Sequence, residues 1–99
     1  MKNNLKHVLV SRAGDKERLI EFIAKYIQML PYELIDAYND AWKIGIVGSH
    51  AQGLSYYALH RTFEYYFGKS PFILEDNIIL SFSNPIKIKG ITWEYVDII

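Results

Sequence analysis

The spacing of apolar residues changes once along this chain, near Phe72, and that change constrains the fold more than any other feature. Before it, apolar residues recur every three or four positions, as on one side of a helix; after it, they alternate with polar residues, as in a strand. A helical half followed by a strand half predicts an α+β domain. We expect three helices packed on a mainly antiparallel C-terminal sheet of three to four strands, with a short N-terminal strand at residues 5–10 available to join it.

The first two helices are separated by Pro31, which disfavours helical geometry at the residue before it. We expect the first helix to begin after Gly14 and Asp15 and to stop near Leu30, and the second to begin with Pro31 and run to about Trp42. Apolar residues lie at helical spacing in both. Those predicted to be buried are Leu19, Ile20, Phe22, Ile23, Tyr26, Ile27 and Leu30 in the first helix and Leu34, Ile35, Tyr38, Ala41 and Trp42 in the second.

A third helix is predicted to start at Ser49, because Ser49 and Gln52 match the capping box, in which each side chain accepts from the backbone of the other. Gly68 suits the left-handed position after its last turn. The residues before it, 44–47, fit either a short strand or an interrupted helix. Gly90, in the strand half, fits either a bulge within one long strand or a turn between two short ones.

Length and composition restrict the classes of protein that remain. The chain has 99 residues, so residues 1–99 form a single domain, and 51% of them are hydrophobic, which excludes the disordered class. Its net charge is zero, and basic residues exceed acidic ones only in the first quarter. The sequence therefore does not favour nucleic acid or an anionic membrane as a partner.

The absence of cysteine excludes disulfides, thiolate catalysis and cysteine-ligated metals. The N-terminal apolar run is too short for a signal peptide or a membrane span, so we expect a cytoplasmic protein. His60 and Glu64 are four residues apart and could share a metal, but no third ligand accompanies them. Ser49 and His50 are adjacent, yet neighbouring helical residues point about 100° apart. We therefore expect no metal, no cofactor and no catalytic residue.

The start of the third helix is the best candidate for a ligand site. Free backbone N–H groups and the positive end of the helix dipole suit a phosphate or carboxylate there. On an ideal helix, His50, Tyr57 and Arg61 lie on the same side, so an anionic or nucleotide-like molecule would be bound by Gly48, Ser49, His50, Tyr57 and, at its far end, Arg61. The glycines match no phosphate-binding motif.

The same helix is apolar almost all round, which indicates burial on several sides or contact with a second chain. The chain carries more Tyr, Phe and Trp than so small a core needs, and aromatic residues are enriched at interfaces. The candidate interface residues are Tyr56, Phe63, Tyr66 and Phe67. The alternative to an interface on this helix is oligomerisation through an exposed strand of the sheet.

These observations favour a small non-enzymatic protein that acts by binding, as a homo-oligomer, with a dimer favoured, or as a regulator or inhibitor of a protein partner. The alternative is a module that binds a small anion at the helix beginning at Ser49.

Overall fold

Three helices precede two β-hairpins in the computed structural model, which describes residues 12–46, 49–75 and 79–97. The chain is therefore an α+β protein. The helices are α1 (Asp15–Ile27), α2 (Pro31–Ile44) and α3 (His50–Phe67). The strands are β1 (Ile73–Glu75), β2 (Ile79–Ser81), β3 (Ile86–Lys89) and β4 (Thr92–Tyr95). The predicted strand at residues 5–10 lies outside the described residues.

Helix α1 ends three residues earlier than predicted, and Leu30 is an extended residue that caps α2. The Leu30 N–H donates to the Glu33 carboxylate at 2.8 Å, and Pro31 occupies the first position of α2, where its missing N–H costs nothing. Ile20 and Leu30, both predicted to be buried, are exposed. Helix α2 reaches Ile44, so this residue is helical, and Gly45 ends the helix with a φ of 81°.

Helices α1 and α3 lie side by side and run in the same direction. Asp15, the first residue of α1, bonds to His50, the first residue of α3. At the other end, the Tyr66 hydroxyl donates to the Ile27 carbonyl at 2.7 Å. Together with α2, the two helices enclose a core whose fully buried side chains include Leu34, Tyr38, Leu54, Leu59 and Phe63.

The strands form two separate two-stranded antiparallel sheets, β1 with β2 and β3 with β4, and so differ from the single sheet predicted. The reason lies between the hairpins, where side chains of α2 bond to the backbone. Tyr38 donates to the Asn84 carbonyl at 3.0 Å and Trp42 donates to the Ser83 carbonyl at 2.9 Å. Ser83 and Asn84 therefore bond to a helix, and neither is paired with a strand among the residues that the structure describes.

Gly90 is a turn residue and not a bulge. Lys89 pairs with Thr92, so Gly90 and Ile91 form a two-residue loop, and the Gly90 φ of 62° is the left-handed conformation that such a loop requires. The last predicted strand is therefore two short strands that form a hairpin.

Candidate functional site

The predicted N-terminus of α3 is confirmed at Ser49, whose hydroxyl accepts from the Gln52 N–H at 3.0 Å. The Gln52 side-chain nitrogen donates to the Gly45 carbonyl and to the Tyr56 hydroxyl, each at 3.1 Å. The cap thus links the start of α3 to the end of α2. Gly68 follows α3 in the predicted left-handed conformation, with a φ of 76°.

His50 has a carboxylate partner within the chain. Its Nε2 lies 2.9 Å from Asp15 Oδ2, and the same oxygen accepts from the Arg12 N–H. The Asp15 side chain is almost fully buried, whereas that of His50 is 18% exposed. Asp15 lies in the first turn of α1, where the positive end of the helix dipole stabilises its charge.

The other predicted ligand residues do not complete an anion site around His50. Tyr57 is buried and its ring lies beside His60, with 6.0 Å between ring centroids. Arg61 is exposed, and its Nε lies 3.7 Å from Glu64. Gly48 lies outside the described residues. An anion at the start of α3 would therefore meet His50 already bound to Asp15, a partner 35 residues away that the sequence pattern does not reveal.

Two of the four candidate interface residues are covered within one chain. Phe63 is fully buried, with its ring edge against Tyr38 and Trp93. Tyr56 is buried too, and its hydroxyl donates to the Gly45 carbonyl at 3.0 Å. Phe67 is partly buried, and Tyr66 is 42% exposed, with its hydroxyl bonded to the Ile27 carbonyl. The burial expected of a second chain is thus supplied, for Tyr56 and Phe63, by the chain itself.

His60, considered from sequence as a metal ligand together with Glu64, is buried. Its Nδ1 lies 2.8 Å from the Ser70 hydroxyl, which also accepts from the Phe72 N–H at 3.2 Å. Burial lowers the pKa of His60, with the Glu64 charge acting in the opposite direction. Glu64 is 3.6 Å from Nε2, too far for a good hydrogen bond. The lowered pKa favours the neutral imidazole, and the contact between His60 and Ser70 links α3 to the loop that follows it.

The β3–β4 hairpin has one apolar face and one charged face. Ile86, Ile88, Trp93 and Tyr95 alternate onto the first, and Ile86 and Trp93 are buried there. On the second face, Glu94 accepts from Lys89 at 3.2 Å and lies 3.5 Å from Lys87, and the bond to Lys89 is the main cause of a lowered Glu94 pKa. Ile88 is half exposed, and Ile91, at the tip, is 97% exposed.

The hydrogen-bonding pattern fixes which backbone groups of this hairpin face outward. The Val96 N–H donates to the Pro85 carbonyl at 2.8 Å, and bonded pairs alternate along an antiparallel ladder. The backbone groups of Lys87 therefore bond to those of Glu94, and the backbone groups of Lys89 bond to those of Thr92. It follows that the N–H and C=O groups of Trp93 and Tyr95 point away from β3, and we call this side of β4 the open edge.

The sequence did not single out the open edge, because its alternation left Gly90 as either a bulge within one long strand or a turn between two short strands. Which hairpin edge stays uncovered depends on contacts between distant residues. Ile91 carried a signal, because a large apolar residue in a tight turn has no neighbour to cover it.

Within the three described ranges, no group of three or more His, Asp or Glu residues could hold a metal ion. No helix among those residues is both long enough and apolar enough to cross a membrane. Comparison of the chain with protein-family models, curated protein sequences and solved structures gives no match.

Proposed function

We propose that this protein is a small non-enzymatic interaction protein that acts as a homo-oligomer, with a dimer favoured. The observation that carries the proposal is the exposed apolar surface of the β3–β4 hairpin, formed by Ile88, Ile91 and Tyr95. An isoleucine that is 97% exposed at a hairpin tip gains about 1.5–3 kcal/mol when it is buried, so it favours contact with another surface.

The hairpin now has more support than α3 as the interface. Because Tyr56 and Phe63 are already covered, a charged residue at either position is expected to disrupt the core of each chain and not only an assembly. The aromatic content also has an intrachain use, since the hydroxyls of Tyr38, Tyr56, Tyr66 and Tyr95 all donate to backbone carbonyls. The aromatic excess therefore no longer requires a second chain.

The anion-binding alternative has less support, because any anion near His50 must compete with the buried Asp15 carboxylate. The cytoplasm is the proposed setting, since the chain has no cysteine with which to form a disulfide. A role as a regulator or inhibitor belongs to the same proposal and would use the same exposed hairpin.

The test is the molar mass of the full chain in solution, measured by light scattering from micromolar to millimolar concentration. We expect twice the 11.6 kDa of one chain at high concentration. Ile91→Ser should weaken association about tenfold without changing thermal stability. Ile44→Ser, which changes another exposed isoleucine at the end of α2, is the matched control and should have no effect. A single-chain mass at every concentration would contradict the proposal.

A further inference from the structure

The two edges of the β3–β4 hairpin are not equivalent. On β3, the Asn39 side chain bonds to both backbone groups of Ile86: its Oδ1 accepts from the Ile86 N–H and its Nδ2 donates to the Ile86 carbonyl, each at 2.9 Å. Asn39 thus takes the position of a neighbouring strand. On the open edge, the N–H and C=O of Trp93 and Tyr95 make no hydrogen bond to any part of the chain that the structure describes. A strand can therefore be added at β4, whereas on β3 both backbone groups of Ile86 are already bonded to α2.

We infer that the open edge of β4 binds the open edge of a second copy, antiparallel, with Trp93 opposite Trp93 of the second copy. This inference rests on the proposed function, because it requires the chain to associate with itself. An antiparallel edge is complementary to its own copy, since each outward residue offers one donor and one acceptor to its equivalent. The product is a four-stranded intermolecular sheet that places the two Trp93 residues at its centre.

Charge selects this register among the neighbouring ones. A pairing centred on Glu94 would place two carboxylates directly opposite each other, which is unfavourable. A pairing centred on Tyr95 would bring Trp93 opposite Asp97 and leave the exposed Ile91 outside the contact. Centred on Trp93, the pairing places Ile91 opposite Tyr95 of the second copy. These two exposed apolar side chains then cover each other, and the two-fold symmetry gives two such contacts.

Thr92 supplies an independent reason for the same register. Its Oγ1 is the buried side-chain oxygen that finds no hydrogen-bond partner among the described residues. In the Trp93-centred pairing, Thr92 lies opposite Glu94 of the second copy, at a position where side chains are close. Rotation about the Thr92 Cα–Cβ bond lets the Thr92 hydroxyl donate to the Glu94 carboxylate of the second copy. The two-fold symmetry produces two such hydrogen bonds.

Substitutions at Thr92 test the inference because a charge there has opposite effects on the stability of one chain and on the affinity between two chains. Thr92 faces Lys89 across its own hairpin and Glu94 across the proposed contact. Thr92→Glu should attract Lys89 and leave the fold at least as stable, yet repel Glu94 of the second copy and weaken the dimer about tenfold. Thr92→Lys should slightly destabilise the hairpin but tighten the dimer. Ala51→Glu, an exposed control on α3, should leave the dimer unchanged.

The measurements are sedimentation equilibrium for the dissociation constant, thermal unfolding for the fold, and amide exchange of the full chain at low and high concentration. The Trp93 N–H should become protected only at high concentration, and the Ile88 N–H at neither. The inference is overturned if a dimer forms but both Thr92 variants leave its dissociation constant unchanged and the Trp93 N–H exchanges at the same rate at low and high concentration. The proposed function would still hold in that case. A chain that stays monomeric overturns both.

Discussion

Helix α3 and the β3–β4 hairpin differ in how completely the chain covers them. Around α3, the Phe63 ring lies against Tyr38 and Trp93, and the Tyr56 ring lies against Phe72 and Phe82. The buried polar atoms of His60 and Thr62 have hydrogen-bond partners. On the hairpin, the tip residue Ile91 is exposed, and the outward backbone groups of one strand and one buried threonine oxygen have no hydrogen-bond partner among the described residues. The difference indicates that α3 holds the fold together, whereas the hairpin is where an interaction can be gained. The comparison predicts that changes near α3 alter stability and that changes at the hairpin alter association.

The largest effect is expected for Phe63→Ala. The ring is fully buried against Tyr38, Phe67 and Trp93, so its removal leaves a cavity that the neighbours cannot fill. We expect the free energy of unfolding to fall by about 3–5 kcal/mol in urea denaturation. Tyr65→Ala, at a 72% exposed position two residues along the same helix, should cost less than about 0.5 kcal/mol. Equal losses at the two positions would contradict the central place of Phe63.

Asp15→Asn should have the next largest effect. The Asp15 carboxylate accepts from the Arg12 N–H and pairs with His50, and charge-assisted bonds of this kind contribute about 2 kcal/mol. Asp36→Asn changes an exposed carboxylate on α2 and is the matched control, with an expected change below about 0.5 kcal/mol. Unfolding measured for both variants in the same buffer compares them directly. Similar values would mean that the α1–α3 junction does not depend on the Asp15–His50 contact.

Gly90→Ala should cost about 1 kcal/mol, because alanine pays for the left-handed conformation that Gly90 adopts with a φ of 62°. Gly90→Asn should lose less, since asparagine tolerates this conformation. Thermal unfolding ranks the two variants. If the Gly90→Ala variant proved as stable as the unmodified protein, the two-residue loop would have to adopt another geometry.

The smallest effect is a change in the pH dependence of stability. Burial lowers the pKa of His60, so between its usual pKa of about 6.5 and its lower folded value the unfolded chain binds a proton that the folded chain does not. The free energy of unfolding should therefore fall as the pH decreases through this window. In His60→Gln the fall should be shallower. Urea denaturation from pH 7.5 to 5 measures both slopes, and equal slopes would show that His60 is not the group responsible.

The fold class and the three helices could be predicted from sequence because each depends on local signals. Pro31, the Ser49 cap and Gly68 lie where the predictions placed them, since each acts on residues within one helical turn. Four of the five positions predicted to be buried in α2 are buried, and the fifth, Trp42, is partly buried, because the apolar spacing of this helix is regular.

The arrangement of the strands could not be predicted in the same way. Whether two hairpins join into one sheet depends on what covers the segment between them, and Asn39, Tyr38 and Trp42 are more than 40 residues away from their partners. The candidate site had the same problem, since Asp15 takes the position of the expected anion. No periodicity reports a contact between two such distant residues.

The bonds from α2 to the segment between the hairpins also have a consequence for synthesis. All three helices are translated before residues 83–86, so Tyr38, Asn39 and Trp42 emerge from the ribosome without their hydrogen-bond partners. Until the hairpin residues arrive, the nascent helices carry polar groups that water must satisfy and an aromatic surface that these later residues cover. The segment made after the helices therefore completes the core that the helices begin.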